Sequence, residues 1–115
     1  MREGELIRRI MLQASERGDR LFRCNTGKGW VGQIVSQTPE LITLRNYRPL
    51  NAGLVNGGSD LIGWSPREIG GSLTAVFTAI EAKTGRLRPT HEQQSFLDAV
   101  ERSGGIARVV RDTDV

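Results

Sequence analysis

The chain has 115 residues, of which 37% are hydrophobic and 25% are charged. This length fits one domain, because a single hydrophobic core serves roughly 100–150 residues. No apolar run approaches the roughly 20 residues that cross a bilayer, so we expect no membrane partner. Sixteen basic residues against 13 acidic ones give a formal net charge of +3, which is a weak indication of a polyanionic partner.

Cysteine and histidine are too scarce for several kinds of site. With Cys24 as the one cysteine and His91 as the one histidine, the chain forms no internal disulfide and no zinc finger. Any metal ion must therefore be held mainly by oxygen. The first residues include Glu3 and Glu5 where a secretion signal would be basic, so we expect a cytoplasmic protein.

The first half of the chain reads as one helix followed by short strands. Residues 2–17 predict an amphipathic helix whose apolar stripe carries Leu6, Ile10 and Ala14. Gly, Lys and Pro separate the extended segments that follow, which predicts a small antiparallel meander. The segments expected after the helix are strands at 21–25, 30–36 and 41–46, a glycine-rich loop at 51–58, a strand at 60–64 and a loop at 65–72.

The second half carries the strongest local signals. Residues 73–83 are rich in β-branched side chains and predict a long strand. Thr90 and Gln93 match a capping box, in which each side chain satisfies an exposed amide, and predict a helix over 90–103. Gly104 and Gly105 end that helix, and a buried strand is expected at 106–110. The whole pattern indicates a small α/β sandwich.

A glycine-rich motif in the first half resembles a dinucleotide site by its letters alone. Residues 27–32 spell G-x-G-x-x-G, but that fingerprint must open a helix, and here the strand-like residues 33–35 follow. No phosphate-binding loop of the G-x-x-x-x-G-K-[ST] type occurs either. We therefore expect no nucleotide cofactor.

Acidic and basic groups meet at the end of the long strand. Glu81 and Lys83 continue the apolar face of residues 73–79, since side chains alternate with period two. Alone, this pair also fits a strand that ends in solvent. Asp60 lies on the next strand back, and pairing of the two strands brings its carboxylate to Glu81. Two converging carboxylates and one amine favour a site for Mg²⁺ and a phosphate.

The spacing of these groups resembles the core of the PD-(D/E)XK nucleases, with Ser59-Asp60 in place of Pro-Asp and Glu81-Ala82-Lys83 after it. The surrounding chain resembles the virus-type replication-repair nuclease (VRR-NUC) domain, over nearly its whole length. The segments that carry this likeness are 3–6, 21–27, 57–63, 80–87, 92–93 and 104–105. The resemblance implies one nuclease domain over 1–115, with a small restriction-endonuclease-like α/β fold in which helices flank a mixed central sheet.

Carried over residue by residue, the resemblance makes Asp60 and Glu81 ligands of Mg²⁺ or Mn²⁺ and Lys83 the catalytic amine. It implies the Ala82 carbonyl as a third ligand and Glu3 as an acid of the first helix. Glu3 is favoured over Glu5 because its spacing to the apolar stripe directs it inward. Gln93 matches the helix glutamine of the family, and a shift of register would put Gln94 there instead.

The resemblance also implies metal-dependent hydrolysis of DNA that leaves a 5′-phosphate and a 3′-hydroxyl. Small members resemble Holliday-junction resolvases and act as homodimers, so we expect a four-way junction and a second copy as partners; residues 30–44 are the expected contact. Basic residues beside the motifs suit phosphate contacts: Arg23, Lys28, Arg86 and Arg88. Asn25 either joins them or shapes its turn. The alternatives are a catalytically silent DNA-binding module, or a nuclease of end processing or restriction.

Overall fold

A computed structural model describes residues 1–25 and 27–115. Thr26, which belongs to the motif at 21–27, lies outside the described residues. Within those residues the chain forms two α-helices, six strands and a short 3-10 turn. They are α1 Glu3–Arg17, β1 Arg20–Arg23, β2 Gly27–Gln37, β3 Ile42–Ala52, β4 Leu61–Ile69, β5 Ser72–Lys83, α2 His91–Arg102, β6 Ile106–Arg111 and the turn Asp112–Asp114.

Four strands form a mixed sheet in the order β1-β4-β5-β6. The pairs β1·β4 and β4·β5 are antiparallel, whereas β6 lies parallel to β5 after the crossover through α2. One sheet face packs on α1 and forms the core, while Ala75 and Phe77 on the opposite face of β5 approach α2. The core consists of Leu6, Ile7, Ile10 and Ala14 from α1 and Leu21, Leu61, Ile80 and Ala82 from the sheet.

Local sequence signals predicted α1, β5, α2 and β6, and all four are confirmed within two residues of their expected ends. The capping box is also present. The backbone nitrogen of Gln93 donates to Thr90 Oγ1 at 3.2 Å, and the backbone nitrogen of Thr90 donates to Gln93 Oε1 at 2.9 Å. These elements depend on interactions between residues that are close in the sequence, so the sequence alone is sufficient to predict them.

The expected loop at 65–72 is wrong, because β4 continues to Ile69 and a two-residue turn joins it to β5. Gly70 and Gly71 form that turn with φ of 58° and 82°, the left-handed values that a tight hairpin with right-handed strand twist requires. Ser65 and Thr78 are diagonal neighbours on the two strands, and their side chains share a buried hydrogen bond of 2.7 Å. Ser65 therefore faces a strand partner, whereas Arg67 and Glu68 of the same strand are exposed.

The expected meander is confirmed only in part: its second and third segments pair antiparallel as β2 and β3, but the first segment, β1, does not join them. β1 pairs with β4, and β2 and β3 pair only with each other in the described part of the chain. We call this two-stranded hairpin, residues 27–52, the arm. The molecule measures 56 × 33 × 29 Å, an elongated shape for its length. In the described residues, neither helix has the length and apolar content needed to cross a membrane.

Candidate active site

The paired ends of β4 and β5 bring two carboxyl groups together. Leu61 lies opposite Ile80, so the register puts Asp60 at the level of Glu81. The backbone carbonyl of Asp60 accepts a 2.8 Å hydrogen bond from the Cys24 amide, which ties the segment to the end of β1. Its side-chain Oδ2 accepts a 2.9 Å hydrogen bond from the Ala82 amide. Asp60 is thus fixed on both sides by neighbouring backbone.

Glu81 is the most deeply placed charged residue of this region, with 1% of its surface exposed. Burial raises the pKa of its carboxyl from the usual 4.5 to about 7, and the adjacent Asp60 carboxylate adds to the increase. Lys83 acts in the opposite direction and lowers this pKa, since its Nζ lies 3.8 Å from Glu81 Oε1. The two acids and the amine therefore form one electrostatic unit.

The oxygen atoms at this point fit a hard divalent cation. Glu81 Oε2 is buried and has no hydrogen-bond partner among the described residues, an arrangement that costs free energy unless a ligand satisfies it. The Ala82 N–H points to Asp60, and the carbonyl of a strand residue points to the same side as its N–H. Two carboxylates and one carbonyl on one side are the ligands that Mg²⁺ and Mn²⁺ prefer.

No group of three or more His, Cys, Asp or Glu side chains that could hold a metal ion occurs within residues 1–25 and 27–115. Glu3 does not point inward as predicted: it is exposed at the first position of α1, where the buried stripe begins only at Leu6. Glu5 is partly buried and pairs with Arg9 at 3.1 Å. The structure therefore leaves both acids in the first turn of α1 apart from Asp60 and Glu81.

Ser59 has no predicted role, yet its side chain is buried next to Asp60. Its Oγ lacks a hydrogen-bond partner in the described part of the chain, as does Glu81 Oε2. In the sequence Ser59 lies between Gly57-Gly58 and Asp60, a pattern that does not predict its burial. Ser59 is thus a second unsatisfied oxygen beside the candidate metal ligands.

The first turn of α2 lies beside the segment that leads to Asp60. At Gly57, where φ is +83°, an added Cβ would lie 2.6 Å from the Glu92 backbone. Gln93 follows Glu92, but its side-chain oxygen caps the helix by accepting from Thr90. Gln94 Nε2 donates to Asp98 at 2.9 Å instead. The side-chain amides of Gln93 and Gln94 therefore both have hydrogen-bond partners within α2 and its cap.

The predicted DNA-binding residues are all exposed: Arg23, Asn25, Lys28, Arg86 and Arg88. Arg23 ends β1, one residue before the amide that binds Asp60. Arg86 and Arg88 lie in the loop after β5, where Arg111 Nη1 donates to the Gly85 carbonyl at 3.1 Å. Arg111 carries no predicted role, and it connects this basic loop to β6.

Comparison with known protein families agrees with the geometry. The family model of the VRR-NUC domain matches residues 6–113, nearly the whole chain. A search of curated proteins and a search of solved structures found no match. VRR-NUC domains are PD-(D/E)XK-like nuclease domains of replication and repair, and a nuclease domain implies DNA binding. With its predicted α/β fold confirmed, this chain belongs to the VRR-NUC family.

Proposed function

We propose that residues 1–115 act as one Mg²⁺- or Mn²⁺-dependent endonuclease that hydrolyses branched DNA during replication or repair. The observation that carries this proposal is the buried Glu81, whose unsatisfied Oε2 lies beside the Asp60 carboxyl and within reach of the Lys83 amine. It costs free energy to keep a buried acid with a raised pKa together with a second acid and a cation. Such a cluster is therefore unusual at a purely structural position.

Each residue of the site has a distinct task in this proposal. Asp60 and Glu81 hold the cation through their carboxylates, with the Ala82 carbonyl as a third oxygen. When bound, the cation polarises the scissile phosphate and activates water. Lys83 orients the attacking water and balances the negative charge that develops on the phosphate. The products are a 5′-phosphate and a 3′-hydroxyl.

The first turn of α2 lies against Gly57, in the segment that leads to Asp60, and this contact supports a role for the Gln93 region near the phosphate. Gln93 binds the substrate only when its side chain leaves the capping box, so its contribution is smaller than that of the two acids. Glu3, which is exposed at the start of α1, has no part in the site. Neither residue carries the proposal.

Exposed arginines near the site supply the DNA contacts. Arg23, Arg86 and Arg88 flank the paired ends of β4 and β5, and Lys28 and Asn25 follow β1. Contacts of this type bind the phosphate backbone without reading bases, which suits an enzyme that selects DNA shape. A four-way junction needs two coordinated cuts in opposed strands, so we propose a homodimer with two sites as the active form.

A cleavage assay on four-way, flapped, linear and single-stranded DNA tests this function. The wild-type chain should cut the four-way junction in Mg²⁺ or Mn²⁺ and not in a chelator. Glu81→Gln and Lys83→Met should lower the rate by at least about 100-fold, because both remove charge from the reacting centre. Glu68→Gln and Arg102→Met, at exposed positions on β4 and α2, are the matched controls.

Equal cleavage by Lys83→Met and wild type would reject the assigned site. Salt-sensitive DNA binding without cleavage in any metal would favour the catalytically silent module. Preference for free ends or for one base sequence over the junction would favour end processing or restriction.

A further inference from the structure

The face of the main sheet opposite α1 is only half covered. Leu61, Ile80 and Ala82 belong to the core under α1, so the strand residues that alternate with them point to the other face. On that face α2 packs against β5 and β6. The half formed by β1 and β4 carries Phe22 and Trp64, which leave 48% and 42% of their surfaces exposed.

Three side chains on this half form a connected group. The rings of Phe22 and Trp64 have centroids 5.7 Å apart, with their planes inclined at 52°. The guanidinium carbon of Arg20 lies 5.9 Å from the centroid of the Phe22 ring, a cation–π contact, and the register puts Arg20 opposite Trp64. We call Arg20, Phe22 and Trp64 the aromatic strip.

The aromatic strip shares its face with the candidate active site. Glu81 lies between the core residues Ile80 and Ala82, so alternation places it on the same face as Phe77, the partner of Trp64. The step from Phe77 to Glu81 is four residues, about 13 Å at about 3.3 Å per residue. A strand of duplex DNA advances about 3.4 Å per nucleotide, and an unstacked strand advances more. The strip is therefore within about four nucleotides of a phosphate at Glu81.

The chemistry of the strip fits an unpaired stretch of nucleic acid. Exposed aromatic rings stack on bases of any kind, and a neighbouring cation contacts the phosphate backbone. The bases of an uninterrupted duplex are already stacked on one another, so only unpaired bases can use such rings. The nearest acid, Asp19, is buried and pairs with Arg17 and Arg67 at 3.5 and 3.8 Å, which leaves the charge of Arg20 uncompensated.

We propose that the aromatic strip is a stacking site for unpaired bases of the DNA strand that is cut. Phe22 and Trp64 stack on one or two bases, and Arg20 contacts an adjoining phosphate. This inference rests on the proposed nuclease function and adds to it a feature of the substrate, namely unpaired bases within about four nucleotides of the scissile phosphate. Flaps and opened branch points present such bases, whereas an uninterrupted duplex does not.

Tryptophan fluorescence tests the contact directly, because stacking of a base on an indole ring quenches its emission. The Trp30→Phe chain has Trp64 as its single tryptophan. Its emission should be quenched by oligothymidylate in a chelator, where no cleavage occurs, and not by a duplex of the same length. The Trp64→Phe chain, whose single tryptophan is Trp30 on the arm, is the matched control and should keep its emission.

Fluorescence anisotropy with labelled oligothymidylate measures the contribution of each side chain. Phe22→Leu and Trp64→Leu should each weaken binding at least about fivefold, because each removes a stacking ring. Arg20→Met should lower the slope of log K against log salt by about 0.7, the value for one phosphate contact on a single strand. Trp30→Leu, at an exposed position of the arm, should bind as wild type does.

Unchanged Trp64 emission in the Trp30→Phe chain would overturn the proposal, even where the leucine variants do not fold. A loss in Trp30→Leu as large as that in Trp64→Leu would also reject it. So would a Phe22→Leu chain that binds oligothymidylate normally but changes its mass in light scattering, since the strip is then a protein contact. Stacking without cleavage in any metal would count against the nuclease function alone, and cleavage without stacking against this inference alone.

Discussion

The Ala82 amide donates a hydrogen bond of 2.9 Å to Asp60 Oδ2, so the backbone of one strand holds the acidic side chain of the next. This bond holds the Asp60 carboxyl beside Glu81 even though their charges repel. The pairing of β4 and β5 therefore sets the geometry of the site, and no substrate is needed to bring the two carboxyl groups together.

Replacing Asp60 by Asn should lower the pKa of Glu81 from about 7 toward the usual 4.5, because the neighbouring negative charge is removed. Burial, the larger cause of the shift, remains, so the pKa should stay above 4.5. An NMR titration of the Glu81 carboxyl carbon measures this change. Asp98→Asn, on the exposed side of α2, is the control; an unchanged Glu81 pKa in Asp60→Asn would show that the two carboxyl groups are not coupled.

Glu81 should make the metal-free protein less stable as the pH rises from about 4.5 to about 7. With a folded-state pKa of about 7 and an unfolded value of 4.5, the folded chain binds more protons between these values. The destabilising contribution of Glu81 is therefore absent below about pH 4.5 and complete above about pH 7. Glu81→Gln removes it and should be up to about 3 kcal/mol more stable than wild type at pH 8.

Urea unfolding at pH 5 and pH 8 in the presence of a chelator measures this difference. The advantage of Glu81→Gln should be clearly smaller at pH 5 than at pH 8, and Glu68→Gln, an exposed acid, should follow wild type at both. A constant difference at the two pH values would contradict the raised pKa.

Gly57→Ala should impair cleavage by moving the first turn of α2. The added Cβ would meet the Glu92 backbone at 2.6 Å, which forces either the loop or the helix away. Gly18→Ala is a close control, since Gly18 has a similar φ of +88° but no atom within 4 Å of an added Cβ. Backbone strain should cost each variant about 1 kcal/mol of stability, and the contact with Glu92 should add to the loss in Gly57→Ala.

Single-turnover rates on a four-way junction separate the two effects. Gly57→Ala should fall at least about tenfold below Gly18→Ala, because a misplaced site lowers the rate of the chemical step. Equal rates in the two variants would mean that the position of α2 does not influence the site.

Arg86→Ala and Arg88→Ala should each reduce the salt dependence of DNA binding. Removal of one phosphate contact lowers the slope of log K against log salt by about 0.9 for duplex DNA. Fluorescence anisotropy between 50 and 300 mM salt, in Ca²⁺ or without metal, measures this slope. Arg102→Ala, an exposed cation at the end of α2, should leave the slope unchanged; equal slopes in all three variants would remove the loop after β5 from the interface.

The sequence was informative wherever the structure depends on neighbouring residues. The alternation of residues 73–83 predicted β5, and the Thr90–Gln93 pair predicted the start of α2. Period two along β5, combined with the pairing of its neighbour, was sufficient to expect Asp60 next to Glu81. Each of these inferences required only the geometry of one element or of one hairpin.

The parts that could not be predicted depend on distant contacts. β1 and β4 are separated by about 40 residues, and nothing local favours their pairing over a pairing of β1 with β2. The orientation of Glu3 depends on where the sheet begins to cover α1, which helical spacing alone does not give. The polar residues after Trp64 predicted a loop. The buried hydrogen bond that Ser65 makes in the strand joins it to Thr78, 13 residues away, so the local sequence does not show it.

The Gly70–Gly71 turn has a consequence for how the protein folds. A two-residue turn lets β4 and β5 zip from the closed end outward, and such short-range pairing is fast. Asp60 and Glu81 lie at the open end, so they form the last rung of this zipper. Their mutual repulsion therefore favours fraying at that end, while the rest of the hairpin can form early, so the cost of burying Glu81 beside Asp60 stays local.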